Sequence, residues 1–282
     1  MTVKLTILPR NQSGKNMKSN LMDFERLTDK NVNKNPIPHF CLDNFLDPDF
    51  ANEVYGAFPS YEDALKVGRV FSSVNEKYKV QVTDTKCFPK PMLELHDLLA
   101  SDEFVAKVGD MLNVPNLIAD PALQGGGIHE TNSGGHLDVH VDFNYLKQKQ
   151  WHRRVNILLY FNKEWKEEYG GYFEIWDKEV KNRKGYFAPE FNRACGFATG
   201  DYSWHGVTPV TCPADMVRKS FAVYYYTKEA PEGWDGTEHS TIFKARPKEW
   251  VKGNVAMPME NAKRGTKDAI ASIKAGIKSI IK

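Results

Sequence analysis

The run Gly134-Gly135-His136-Leu137-Asp138-Val139-His140-Val141-Asp142-Phe143 carries most of what can be read from this chain. Apolar and polar residues alternate in it. That is the period of a β-strand, in which successive side chains leave by opposite faces. Leu137, Val139 and Val141 then share one face, and His136, Asp138, His140 and Asp142 share the other. Four ligand-capable groups on one face make an unusual cover for a core. A histidine and a carboxylate two residues apart on a strand can take adjacent positions around one metal ion. A third donor must come from elsewhere, and His205 in Tyr202-Ser203-Trp204-His205-Gly206-Val207 is the candidate. Two imidazoles and one carboxylate leave one face of an octahedral ion open, which suits non-haem Fe(II) binding a cosubstrate and O2 together. The same alternation also describes a solvated strand face, and spacing alone does not separate the two.

Around this run, short β-rich stretches at 126–130, 155–161, 172–176, 196–198 and 221–227 are divided by Gly, Pro, Asn and Asp. Many short strands with such spacing predict a sandwich or double-sheet jelly roll. Arg218-Lys219-Ser220 opens the last of them, and Arg218 and Ser220 share a strand face. A guanidinium fork beside a hydroxyl is a good receptor for a carboxylate; an edge-strand arginine in a surface ion pair would look the same. Upstream, Asp47 caps a helix that starts at Pro48 and repeats Phe50, Val54, Ala57 and Phe58 at helical spacing. Residues 66–90 alternate as strands or a long hairpin, and 91–99 and 102–112 read as two helices.

Residues 1–35 are Asn/Lys-rich and read as a loose arm with a short helix near 21–27, and 36–250 as a single domain with its core at about 120–228. Residues 251–282 read as an amphipathic basic helix. Ile270, Ile273, Ile277, Ile280 and Ile281 would form one stripe among Lys263, Arg264, Lys267, Lys274, Lys278 and Lys282. The expectation is a helix that packs on the sheet or pairs with its twin in a homodimer, not a membrane anchor.

Composition narrows the classes. With 38 Lys+Arg against 36 Asp+Glu over 282 residues, the net charge of +2 gives no general nucleic-acid surface. No apolar run approaches the roughly 20 residues of a membrane span. The amino terminus turns polar too early for a secretory signal, so a cytoplasmic location is expected. Four dispersed cysteines without a CxxC pair read as reduced thiols, not a disulfide framework. His129-Glu130 does not continue as HExxH, the glycines at 125–127 lack the following Lys-Ser/Thr of a P-loop, and there is no GxSxG elbow.

In order, Gly134-Gly135, His140-Val141-Asp142, Tyr160-Phe161-Asn162-Lys163-Glu164-Trp165, Gly170-Gly171, His205-Gly206-Val207 and Arg218-Lys219-Ser220 resemble the 2-oxoglutarate- and Fe(II)-dependent oxygenases, in their prolyl-4-hydroxylase-like branch. The resemblance implies a mainly β fold with flanking helices (α+β) around a double-stranded β-helix, the jelly-roll, cupin-like core. It implies Fe(II) on His140, Asp142 and His205, and the far carboxylate of 2-oxoglutarate on Arg218, with Ser220 and Tyr160 beside it. His136-Leu137-Asp138 is a second HxD in the same register. The family places its HxD a few residues after the Gly-Gly, which favours His140 and Asp142. Asn156, Tyr224, His136 and Asp138 would then stand near the substrate or behind the ligands.

The implied reaction hydroxylates an unactivated C–H bond while 2-oxoglutarate and O2 become succinate and CO2, with ascorbate (vitamin C) as a reductant. Relatives that halogenate carry Ala or Gly in place of Asp142, so its presence implies hydroxylation. The implied substrate is a prolyl or other peptide, an amino acid or a sugar. The competing reading is a non-catalytic cupin-like binding protein that retains the metal site.

Overall fold

The structure, a computed structural model, describes residues 21–249 and 251–259. Its strands in chain order are β1 (His39–Leu42), β2 (Arg69–Ser72), β3 (Glu76–Val82), β4 (Ile118–Ala119), β5 (Gly127–Val141), β6 (Tyr145–Leu146), β7 (Trp151–Tyr160), β8 (Phe173–Trp176), β9 (Arg183–Phe187), β10 (Arg193–Ala198), β11 (His205–Val207), β12 (Arg218–Thr227) and β13 (Ile242–Phe243). Among the described residues, four α-helices precede β4: α1 (Pro48–Gly56), α2 (Tyr61–Val67), α3 (Lys90–Leu99) and α4 (Asp102–Leu112). The ladder runs β1-β10-β7-β12-β5-β11-β8-β9, antiparallel at each step. The expected double-stranded β-helix is present.

Strand β5 makes the fold possible by serving two sheets. Its first half pairs with β12, from Ala222 opposite Gly127 to Arg218 opposite Thr131, and its second half pairs with β11 and β13. The two runs read separately from the sequence, 126–130 and 136–143, are thus one continuous strand. The sheets face each other through aromatic rings: Phe197 of β10 lies 4.5 Å from the His205 ring of β11 and 5.4 Å from Phe173 of β8.

Alternation along β7 and β12 divides the interior. Val155, Ile157, Leu159, Phe221, Val223 and Tyr225 point outward and pack with Phe50, Val54, Met92, Leu95, Leu98 and Phe104 of the helices in one buried cluster. Asn156 and Leu158, with Arg218, Ser220 and Tyr224, point the other way, into a cavity of about 1050 Å³ between the sheets. The helices therefore brace the wall whose opposite face carries the polar groups. Their starts follow the caps in the sequence: Asp47 accepts from Asp49 and Phe50, and Ser101 accepts from the Phe104 N–H. Helix α2 and strand β9 were not read from the sequence. The signal for α2 was present, since Ser60 caps it and also donates to Asp63 at 2.7 Å.

The expected loose arm is, over residues 21–35, packed: Met22, Phe24 and Leu27 are buried in the main core, with a 3-10 turn at Phe24–Arg26. Residues 1–20 lie outside the described residues. At the other end, Lys252–Ala256 forms a π-helix, and the isoleucine stripe with its lysines falls outside the described residues. Among the described residues no helix is long and apolar enough to cross a membrane.

Candidate active site

Three donors converge in the cavity. His140 comes from the end of β5, Asp142 from the residue just past it, and His205 from the start of β11, directly opposite His140 across the ladder. One ligand atom from each lies within 4.8 Å of the other two. Asp142 Oδ1 is 3.6 Å from His140 Nε2, and its Oδ2 is 3.4 Å from His205 Nε2. Both imidazoles are aimed by their other nitrogen, His140 Nδ1 at the Asp138 carbonyl (2.8 Å) and His205 Nδ1 at the Ser203 carbonyl (2.7 Å). A carbonyl oxygen only accepts, so each Nδ1 carries a proton and each Nε2 faces Asp142. Burial, with His140 alongside, pushes the His205 pKa down. Burial alone would push Asp142 up, but the Arg153 charge and the two histidines hold it well below the carboxylate range. Two imidazoles and a carboxylate form a donor set that fits Fe(II).

The expected alternation fails on one point, with a physical cause. His205 pairs with His140 but Val207 pairs with Leu137, so three residues of β5 oppose two of β11. This bulge at Asp138–Val139 shifts the parity of the strand. Leu137 and His140 both line the cavity. Asp138 is fully buried outside the lining, with Arg246 at 3.2 Å and Lys252 at 2.6 Å. The four groups of the motif therefore do not share a face: Asp138 is divided from His140 and Asp142. His136 stays at the cavity mouth, where its Nε2 lies 3.1 Å from the Val74 carbonyl.

Farther in, Arg218 is buried. Its Nε donates to the Gly171 carbonyl at 2.7 Å, and its Nη1 lies 3.5 Å from Ser220 Oγ. The φ of +68° at Gly171, and the 2.8 Å that would separate an added Cβ from Arg218 Cδ, explain the glycine there. No carboxylate among the described residues lies within ion-pairing distance of this guanidinium. Tyr160 sits behind it, ring centre 5.0 Å from Cζ, with a fully buried hydroxyl that has no hydrogen-bond partner. A buried cation without an anion and an orphaned hydroxyl together fit a ligand carboxylate.

Two groups were missed from the sequence. Arg153 is buried, with Nη2 3.1 Å from Asp142 Oδ2 and Nε donating to Asn156 Oδ1 at 2.9 Å. Asn156 Nδ2 in turn donates to Asp142 Oδ2 at 2.8 Å, and the Arg153 guanidinium lies 3.7 Å from the centre of the Tyr224 ring. A second bulge brings Arg153 inward: Tyr225 pairs with Val155 but Tyr226 with Arg153, leaving Arg154 as the extra residue. Strict alternation would have sent Arg153 to the helix side. His129 is the other. It lines the cavity opposite Ser220, within 3.1 Å of Gln81 Nε2, and burial, together with the charges of Lys79 and Arg218, holds its pKa well below the usual range.

Comparison with known proteins agrees with this geometry. Residues 126–226 match the family model of the 2OG-Fe(II) oxygenase superfamily. No curated protein matches the sequence. Among solved structures, the chain is similar in fold to a prolyl hydroxylase from Trichoplax adhaerens, in complex with a hypoxia inducible factor oxygen degradation domain peptide fragment (14% identity, TM-score 0.54, covering 78% of this chain and 94% of that one). A Pseudomonas putida prolyl-4-hydroxylase is similar at 12% identity and TM-score 0.52, over 67% of this chain and 92% of its own. A prolyl 4-hydroxylase from Phytophthora capsici is similar at 17% identity and TM-score 0.50, over 93% of this chain and 78% of its own. The segment that matches the 2OG-Fe(II) oxygenase superfamily model holds all three donors, and the chain is similar in fold to prolyl hydroxylases.

Proposed function

We propose that this chain is a hydroxylase in which His140, Asp142 and His205 hold Fe(II) and Arg218 binds the far carboxylate of 2-oxoglutarate. The observation that carries the reading is Arg218 itself, a buried guanidinium with no carboxylate partner in the cavity that also holds the three donors. A protein that only bound metal would gain nothing from an unpaired buried cation. When bound, Fe(II) with 2-oxoglutarate supplies the oxidation of a C–H bond by O2, releasing succinate and CO2.

The chain's own residues do the positioning. The backbone carbonyls of Asp138 and Ser203 fix the two imidazoles, and Asn156 holds one oxygen of Asp142. Arg218, with the Ser220 and Tyr160 hydroxyls beside it, orients the cosubstrate along the cavity; such a fork is bidentate toward a carboxylate. The mouth, lined by Arg69, Phe71 and Lys79 on the β2–β3 hairpin and by Ile242 and Phe243, would receive the substrate. We assign that substrate to the peptides, with proline as the acceptor residue, since the peptide-bound Trichoplax adhaerens prolyl hydroxylase shares this fold. Ascorbate would serve as reductant.

The test is anaerobic addition of Fe(II) and 2-oxoglutarate, expected to give a weak visible charge-transfer band, followed by succinate release on admitting O2 with proline-containing peptides. Protein shown to bind iron that gives no such band would overturn the reading. Succinate release driven by free amino acids or sugar acids but not by peptides would overturn the substrate assignment alone.

A further inference from the structure

Two cysteines 154 positions apart in the sequence meet across the sheet. Cys41 of β1 and Cys195 of β10 are directly opposed, flanked by the pairs Phe40–Gly196 and Leu42–Ala194. Their sulfurs lie 3.5 Å apart, with the Cys195 thiol donating to Cys41 Sγ. Opposed residues of an antiparallel pair have Cα atoms roughly 4.5–5.5 Å apart, within the roughly 4.4–6.8 Å that disulfides span. The side chains already point at each other, and closing the bond needs the sulfurs to approach to about 2.05 Å. We propose that Cys41 and Cys195 form a reversible disulfide when a hydroperoxide is present, and that this bond weakens 2-oxoglutarate binding.

The pair is asymmetric in the way such chemistry requires. Cys41 is partly exposed, whereas Cys195 is completely buried. The hydrogen bond from Cys195, aided by the Arg193 guanidinium, lowers the Cys41 pKa; burial raises that of Cys195. Thiolate character and access thus coincide on Cys41, which makes it the attacking sulfur. Its thiolate attacks one oxygen of the hydroperoxide, the O–O bond breaks, and the sulfur becomes a sulfenic acid. Cys195 sulfur then displaces hydroxide from that sulfur, and the Cys195 proton leaves with the hydroxide as water. With hydrogen peroxide the sum is two thiols and one peroxide giving one disulfide and two waters. The other cysteines lack this arrangement: Cys212 donates to the Met216 carbonyl and Cys87 is exposed in a 3-10 turn.

The link to binding is the packing around Cys195, and it rests on the proposed role of Arg218. Cys195 shares a buried cluster with Tyr160, Phe173, Ile175 and Phe197. Tyr160 backs Arg218, and Phe197 touches the His205 ring. Drawing Cys195 toward Cys41 removes a contact from behind Tyr160, and close-packed interiors transmit such a shift instead of absorbing it.

The full chain is treated with hydrogen peroxide, alkylated, digested and mapped by mass. A peptide joining Cys41 to Cys195, abolished by dithiothreitol and absent from both Cys41→Ser and Cys195→Ala, is expected. Oxidation of Cys41 to sulfinic acid with no cross-link, or modification of Cys87 alone, would overturn the proposed bond. Calorimetric titration of Ni(II)-loaded protein with 2-oxoglutarate should then show a several-fold weaker affinity after oxidation, restored by reduction and unchanged by peroxide in Cys41→Ser. A cross-linked protein that binds 2-oxoglutarate as the reduced one does would overturn the coupling. Failure of even the reduced protein to bind 2-oxoglutarate would count against the Arg218 assignment, while the peptide map would still decide the disulfide.

Discussion

Arg246 Nη1 lies 3.2 Å from Asp138 Oδ1, on the opposite side of β5 from the metal-ligating candidate His140. The same guanidinium donates to Glu174 Oε1 from Nε at 2.7 Å and to the carbonyls of Val207 and Leu137 at 3.3 and 3.5 Å. It therefore ties β5, β8 and β11 together behind the three donors. Arg246→Ala should cost about 3–5 kcal/mol, because Asp138 and Glu174 stay fully buried with less compensation. It should also weaken Ni(II) binding by the folded protein. Urea unfolding in EDTA and metal titration at low denaturant read the two effects separately. An unchanged unfolding midpoint would show that the ionic cluster contributes nothing.

His140→Ala and His205→Ala should each abolish the rise in melting temperature that Ni(II) or Co(II) gives the wild type, since each removes one of three donors. His136→Ala should keep that rise, because His136 stands at the mouth, hydrogen-bonded to Val74. The reverse pattern would move the metal to the other HxD pair.

Arg153→Ala removes the cation 3.1 Å from Asp142. In metal-free protein it should destabilise by about 3–5 kcal/mol, as for any broken buried pair. Divalent metal should then stabilise the variant more than the wild type, since the ion replaces the lost guanidinium as the partner of Asp142. Thermal scans with and without Ni(II) make the comparison. Equal stabilisation of both proteins would show that Asp142 does not need Arg153.

Arg218→Ala should raise the apparent 2-oxoglutarate requirement by the equivalent of about 2–5 kcal/mol, the loss expected when one partner of a buried charge pair is truncated. Arg218→Lys should recover only part, because an ammonium lacks the planar fork. Titration of succinate release against 2-oxoglutarate measures both. Unaltered affinity in Arg218→Ala would transfer the role to another basic group.

Glu130 gives a prediction about pH that is independent of the chemistry. Its carboxyl is fully buried on β5 without a hydrogen-bond partner among the described residues, and burial raises its pKa to about 7 from the usual 4.5. Between those values the native state holds a proton that the unfolded state has released. Stability from this group is therefore complete below pH 4.5 and lost as pH rises through about 7. The loss is about 3 kcal/mol, at 1.36 kcal/mol per unit. Glu130→Gln should flatten this part of the stability–pH profile in urea titrations from pH 4 to 8. A profile that keeps its slope in the variant would assign the effect elsewhere.

What the sequence determined by itself is local. Caps at Asp47 and Ser101 and the apolar spacing after them set α1 and α4, and period-two alternation set the strands, with Asn156 and Leu158 facing away from Ile157 and Leu159. His140, Asp142 and His205 were legible because ligand chemistry restricts residue type and a strand restricts spacing. Alternation holds, however, only while the ladder stays in register. The bulges at Asp138–Val139 and Arg154 depend on how β5 meets β11 and how β7 meets β12, partners distant in the chain. They send Asp138 to Arg246 and bring Arg153 to Asp142, which no local pattern encodes. The meeting of Cys41 with Cys195 has the same origin, since only the pairing of β1 with β10 brings the two sulfurs together. That Arg218 is buried without a carboxylate, and the Tyr160 hydroxyl without a hydrogen bond, is a property of the closed sheets. Burial is the sum of contacts from every strand around the cavity, and only the tertiary structure holds that sum.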